Sequence, residues 1–179
     1  MPKDIARIGE NEEFSFACHS KLQCFTECCR QLDLALTPYD VLRLKNALQI
    51  TSTEFLERYV IIEQEEEDNF PRFYLTMVDD GRASCIFVTR DGCSVYPDRP
   101  GACRAYPMGR AVMRKSDNTL EEYYVLLNEE HCQGFAESET QTPPEYSRAQ
   151  GLDRYNEIND ALVALVQHEK IRKGMRLNN

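Results

Sequence analysis

The sequence predicts a small, irregular α+β domain with short helices, β-hairpins and a long C-terminal helix. Three observations carry that prediction. Eight cysteines in 179 residues fall mostly into two loop-like blocks. Capped helix starts lie between the blocks, with apolar runs paired about turn signals around the second. An apolar stripe at helical spacing then fills the C-terminal region.

Taken in order, residues 1–13 are polar and mixed in charge, which predicts a flexible lead-in. Phe14 and Phe16 bracket the entry to the first cysteine block, Cys18 to Arg30. Leu32, Leu34 and Leu36 alternate with polar or small residues, as in a short extended run. Thr37-Pro38-Tyr39-Asp40 is a helix start, with Thr as N-cap, Pro at the first helical position and an acid three residues after the cap. Val41, Leu44, Ala47 and Leu48 supply the apolar face of that helix. A second start, Thr51-Ser52-Thr53-Glu54, leads into Phe55, Leu56, Tyr59 and Val60.

The acidic run Glu63 to Asp68 reads as a solvated turn or loop. Residues 73–78 and 83–88 read as strands about Asp79-Asp80-Gly81-Arg82, a hairpin that delivers Cys85. Asp91-Gly92 turns the chain again before Cys93. From Cys93 to Gly109, three prolines and two further glycines predict a fixed loop without regular elements. Residues 110–114 and 120–127 form another hairpin pattern, followed by Cys132. Residues 136–144 have the character of a linker. Leu152, Tyr155, Ile158, Leu162, Leu165 and Val166 then mark an amphipathic helix within 145–174 that packs on the domain, or alternatively receives a partner chain. The cysteine-cluster domain proper is predicted over 14–135.

The cysteines point to chemistry. Thiolates are soft ligands suited to zinc and to iron–sulfur clusters, and both commonly take four. Eight therefore suffice for two four-sulfur sites, and Cys18, Cys24, Cys28, Cys29, Cys85, Cys93, Cys103 and Cys132 are the candidate metal ligands. Cys24 and Cys28 would share one face if helical, whereas the adjacent Cys28 and Cys29 diverge by roughly 100°. One of that pair serves a second site, bridges two metals or packs. His19 and His131 each adjoin a cysteine and are minor candidates for a mixed sulfur and nitrogen site. Arg30, Arg99 and Arg104 stand beside cysteines, where guanidinium groups offset the charge of a four-thiolate centre.

Composition narrows the setting. A formal net charge of −9 argues against a general nucleic-acid binder, whose affinity comes from neutralising phosphates. No stretch has the ~18 apolar residues of a membrane span. The first residues lack the apolar run of a signal peptide, so a reducing cytoplasmic location is expected and metal ligation is favoured over disulfides. The eight glycines include no G-x-G pair, and neither a G-x-S-x-G elbow nor an H-E-x-x-H helix is present.

With both blocks in view, the sequence resembles the YkgJ-type cysteine-cluster family of zinc- or iron-chelating domains. The resemblance is carried by Cys24, Cys28, Cys29 and Arg30, and by the helix start Leu36-Thr37-Pro38-Tyr39-Asp40-Val41. The second block carries more of it: Cys85-Ile-Phe-Val, Gly92-Cys93-Ser-Val-Tyr96-Pro97-Asp-Arg99-Pro100, Cys103-Arg104-Ala-Tyr106-Pro107 and Cys132-Gln-Gly134. It covers about residues 14–135. The leading cysteines depart from the family spacing C-x2-C-x2-C-C, being C-x5-C-x3-C-C here. The resemblance implies a metal-binding domain, and some similar proteins are flagellin lysine methylases with a related cluster.

The expectation from sequence is a metal-binding protein with one or two centres held by clustered cysteines, an iron–sulfur cluster favoured over Zn2+. An enzyme using the cluster for redox or protein-lysine methyl transfer, or a zinc-stapled interaction module, is the alternative.

Overall fold

The structure is a computed structural model, which describes residues 3–64, 70–114, 120–166 and 168–172. It is a mixed α+β fold of short helices and small antiparallel sheets. The elements are β1 (Lys3–Ile8), β2 (Phe14–Ser15), α1 (Pro38–Ala47), α2 (Ser52–Tyr59), β3 (Val60–Glu63), β4 (Arg72–Leu75), β5 (Met77–Val78), β6 (Ser84–Cys85), β7 (Val88–Thr89) and β8 (Gly92–Cys93), followed by α3 (Gly101–Ala105), β9 (Met108–Arg114), β10 (Leu120–Glu129), β11 (Thr140–Gln141), α4 (Pro143–Ala149), α5 (Asp153–Val166) and α6 (Glu169–Arg172). Short 3-10 turns cover Glu27–Cys29, Tyr96–Asp98 and Gly134–Ala136.

The helix starts predicted from sequence form as read. Thr37 caps α1 in a capping box, its hydroxyl accepting from Asp40 N while Asp40 accepts from Thr37 N. Thr51 caps α2 by accepting from Glu54 N at 3.1 Å. The hairpin about Asp79–Arg82 forms over a shorter span than expected, because β4 pairs with β3. Met77 pairs with Cys85, and Val88 with Cys93, so two short ladders present two cysteines. Gly92, at φ +120°, takes a conformation that glycine alone adopts freely. The extended run before α1 lies against β4, where Leu36 N donates to Phe73 O and Leu75 N donates to Leu34 O.

Several elements differ from expectation. Within the polar lead-in, β1 pairs with β10 from Lys3↔Glu129 to Ile8↔Tyr124, making β10 the centre of the sheet β1-β10-β9. Ile8 is in the core and Ile5 is 61% exposed, as suits an edge strand with one covered face. Val60 ends α2 and begins β3, which pairs with β4. The segment 93–109 is not a loop throughout, since α3 carries Cys103. Pro97 sits in the 3-10 turn and Pro100 at the cap of α3, where a missing N–H costs nothing, and Pro107 stands between α3 and β9.

The linker 136–144 contains β11, paired with β2, and the start of α4. Thr142 caps α4 in a second capping box with Glu145. The predicted C-terminal helix is three helices. Gly151, at φ +65°, ends α4 in a Schellman motif, with Gly151 N donating to Arg148 O and Leu152 N to Ser147 O. Tyr155 is buried, whereas Leu165 and Val166 are 55% and 49% exposed. Most of the acidic run, the turn at 115–119 and the expected helix end near Gly174 lie outside the described residues.

Two apolar clusters form the interior. One joins the sheet to α4 and α5 through Ile8, Phe14, Phe16, Met108, Tyr124, Tyr146, Leu152 and Tyr155. The other joins α1 and α2 to the small hairpins through Leu34, Leu36, Leu44, Phe55, Leu75, Phe87 and Val95. Cys132 packs on the first; Cys85, Cys93 and Cys103 pack on the second.

Candidate metal centre

The first cysteine block is a series of turns tied to the rest of the chain at both ends. At its start, Ala17 N donates to Gly134 O at 3.1 Å. Gln133 N donates to Cys24 Sγ at 3.3 Å, drawing the block to Cys132. Gly134 is required there, because a Cβ would stand 2.8 Å from Ala17 O and 2.5 Å from the Phe16 ring. At its other end, Arg30 bridges to Ser84 and Gln31 N donates to Ala83 O at 2.9 Å, which lays the block beside Cys85.

Cys18, Cys24, Cys28 and Cys132 consequently line one cavity of about 20 Å³, together with Tyr106 and His131. Cys85, Cys93 and Cys103 form a second neighbourhood on the other apolar cluster, within charge–charge reach of one another. All eight cysteines are unpaired; Cys18 is exposed and the others are half-buried. Among the described residues, no three His, Cys, Asp or Glu side chains are grouped as the ligands of a single metal ion.

Two opposing influences act on the sulfurs, and the upward one prevails at Cys18, Cys28, Cys85, Cys93, Cys103 and Cys132. Besides Gln133 N on Cys24, the backbone N–H groups of Phe87 and Val88 act on Cys85, that of Val95 on Cys93 and that of Gly134 on Cys132. Such N–H···S bonds lower a thiol's pKa because they favour the charged form. Against them stand burial and mutual repulsion. Burial, then neighbouring sulfurs, push Cys103 up to about 12; partial loss of water around the Cys18 sulfur, then Cys28, Cys24 and Cys132, push Cys18 up to about 11. Cys28 is raised chiefly by its hydrogen bond with Cys29. Crowded thiols that repel one another as anions are stabilised as thiolates by a cation placed among them. A thiophilic metal supplies that charge, so the donor set fits one.

The histidines separate. His131 faces the cavity, with Nε2 3.8 Å from a Glu129 oxygen. His19 is turned away, its Nε2 3.4 Å from Glu137 and its Nδ1 accepting from Lys21 N. The arginines bind oxygen. Arg99 donates to Tyr96 O and Gln150 Oε1, Arg104 to Arg99 O, Gln150 O and Pro97 O, and Arg30 to Glu27 and Ser84. Arg99 and Arg104 clamp the segment around α3, which carries Cys103, against Gln150 at the end of α4, whereas Arg30 ties the first block to Ser84. Arg99 still acts as a nearby cation on Cys18 and Cys93.

Sequence reasoning missed Glu129 in this region and read Tyr106 and Asp40 only as family and cap residues. Tyr106 lines the cavity and donates from its hydroxyl to Glu129 at 2.9 Å; Glu129 was not singled out at all. Asp40, recognised as a helix cap, has a second contact with the Cys103 helix. Its Oδ1 accepts from Gly101 N at 2.8 Å.

A small α+β fold that gathers thiols from distant stretches onto two apolar clusters defines a cysteine-cluster metal-binding domain. The chain belongs to the CxxCxxCC family, whose description is "Putative zinc- or iron-chelating domain" and whose model matches residues 17–146. The resemblance carried by Cys24, Cys28, Cys29 and Arg30, the start of α1 and the second block is thereby borne out. No curated protein and no solved structure matches the chain. Among the described residues, no helix is long and apolar enough to cross a membrane.

Proposed function

We propose that the protein binds an iron–sulfur centre through its clustered cysteines. The observation that supports this most is the spread of the sulfurs. Cys18, Cys24, Cys28 and Cys132 line one cavity, yet no three potential ligands among the described residues stand close enough for a single ion. A cluster brings its own sulfide and irons, so its cysteines stand further apart than the ligands of one ion. When bound, it supplies one-electron transfer at a potential set by hydrogen bonds to sulfur and by burial. The chain's residues hold the thiolates in place, and N–H groups at Cys24, Cys85, Cys93 and Cys132 stabilise their charge.

Zinc is the second reading, and the size of the cavity favours it. About 20 Å³ admits roughly one ion or water before side chains move. The domain is then a scaffold fastened by zinc. Protein purified without oxygen, with iron, zinc and acid-labile sulfide measured beside an absorption spectrum, separates the two. Brown protein with iron and sulfide supports the cluster; colourless protein with zinc overturns it in favour of the scaffold.

A further inference from the structure

Resting on the reading of the cysteines as metal ligands, the geometry points to Glu27 as a positioning residue. With Arg82 it forms an ion-pair latch that holds the first cysteine block against the β5–β6 hairpin of Cys85, so that the two blocks lie side by side before any metal arrives.

Glu27 and Arg30 flank the Cys28–Cys29 pair, and each is gripped by the turn that leads into Cys85. Arg82 Nη2 donates to both Glu27 carboxylate oxygens, at 2.9 and 2.8 Å. Arg30 donates from Nε to the same carboxylate at 3.4 Å and from Nη1 to Ser84 Oγ. Ser84 is 4% exposed and pairs with Arg30 in an isolated antiparallel bridge. The turn is itself fixed: Asp80 Oδ1 accepts from Arg82 N at 2.9 Å and from Ser84 N at 3.3 Å, which sets the two residues that hold Glu27 and Arg30.

The backbone shows that this grip works against local preference. Thr26 at φ +70° and Gln31 at φ +52° bound the segment, and Ala83 at φ +46° accepts from Gln31 N at 2.9 Å. Left-handed conformations in residues with a Cβ persist only where the surroundings over-determine them. At its other end the block is held by Ala17 N on Gly134 O and Gln133 N on Cys24 Sγ. At the Cys85 end the side-chain links are Arg82 to Glu27 and Arg30 to Ser84. A lone exposed ion pair contributes little, whereas a carboxylate shared by two guanidinium groups, that of Arg30 only 19% exposed, belongs to the networked kind that contributes more.

The test compares the full chain as wild type, E27Q, R82Q, R82K and E27Q/R82Q. In reduced, metal-stripped protein, brief alkylation read by mass spectrometry is expected to label Cys28, Cys29 and Cys85 about fivefold faster in E27Q and R82Q, with Cys93 and Cys103 at wild-type rates. The double variant is expected to match the singles, because either change opens the same latch, and R82K restores part of the protection. Cobalt(II) affinity, measured by competition with a chromophoric chelator, is expected to fall by a similar factor in the same variants. Wild-type labelling of Cys28 and Cys85 in both singles overturns the latch, as do additive effects in the double variant. Equal acceleration at Cys93 and Cys103 also overturns it, since that marks general loosening. Faster labelling with unchanged cobalt affinity overturns the positioning role. Arg82 is 54% exposed, so R82Q decides the matter should E27Q not fold. A wild type that takes up no cobalt defeats the ligand reading, and the labelling pattern still decides the latch.

Discussion

Asp40 and Gly101 are joined by a 2.8 Å hydrogen bond from the Gly101 backbone N–H to Asp40 Oδ1, which ties the first turn of α1 to the helix that carries Cys103. The carboxylate is 2% exposed, and its other oxygen accepts from Thr37 N and Thr37 Oγ1 at 2.7 and 2.8 Å. One buried side chain therefore closes a helix cap and positions a candidate ligand. Asp40→Ala leaves buried donors unsatisfied and removes the box, which costs about 3 kcal/mol. Urea denaturation of the metal-free protein measures this, and a loss below about 0.5 kcal/mol contradicts the role.

Gly134→Ala tests the contact that holds Cys132 near Cys18. The added Cβ meets the Phe16 ring and the Ala17 carbonyl at distances that real contacts do not show. Overpacking of this kind costs about 2 kcal/mol, or roughly a 6 °C drop in Tm for a chain of this size. An unchanged Tm would mean that the two segments separate freely.

Arg110 fastens α5 to the sheet, donating to both oxygens of Asp160 at 2.9 Å and to Glu122 at 2.8 Å. The Arg110 hydrogen bond holds the Glu122 carboxyl below its ordinary value of 4.5. A depressed carboxyl contributes stability that is present above the ordinary value and is lost as pH falls through the folded-state value. Arg110→Gln is expected to cost about 1 kcal/mol near neutral pH. It also flattens the acid limb of stability below the ordinary carboxyl value. Parallel acid limbs in the two proteins argue against the coupling.

Metal removal is expected to weaken the fold without abolishing it. The two apolar clusters supply buried contacts of their own, whereas in small zinc modules metal binding supplies on the order of 10 kcal/mol and the folded state itself. Differential scanning calorimetry of loaded and stripped protein is expected to show Tm falling by roughly 10 °C or more. Cys93→Ser and Cys103→Ser in the loaded state should resemble the stripped protein. Variants that keep both metal and Tm exclude these sulfurs as ligands.

Local rules made much of this legible. Thr37-Pro38-Tyr39-Asp40 and Thr51-Ser52-Thr53-Glu54 announce α1 and α2, because a cap depends on residues within one turn. Asp91-Gly92 likewise marks the turn before Cys93. The same rule applied to Thr142-Pro143-Pro144-Glu145 identifies the start of α4, but paired prolines read more readily as linker. By contrast, β1 was hidden by its partner's distance: six mixed residues become a strand only against β10. The donor set was readable because residue type dictates it. Which sulfurs adjoin depends on the Arg30–Ser84 bridge and the Ala17–Gly134 contact, which no local pattern encodes.

The pairing of β1 with β10 also bears on how the chain comes into being. Ile8 meets Tyr124, so the first strand leaves the ribosome long before its partner exists. At ~5–20 residues per second, that interval lasts on the order of ten seconds. Throughout it the Cys18–Cys29 thiols are held by neither the sheet nor Cys132, and they depend on the reducing power around the nascent chain. Assembly of the cysteine neighbourhoods is therefore a late event, which waits for the strands β10 and β11 that pair with β1 and β2.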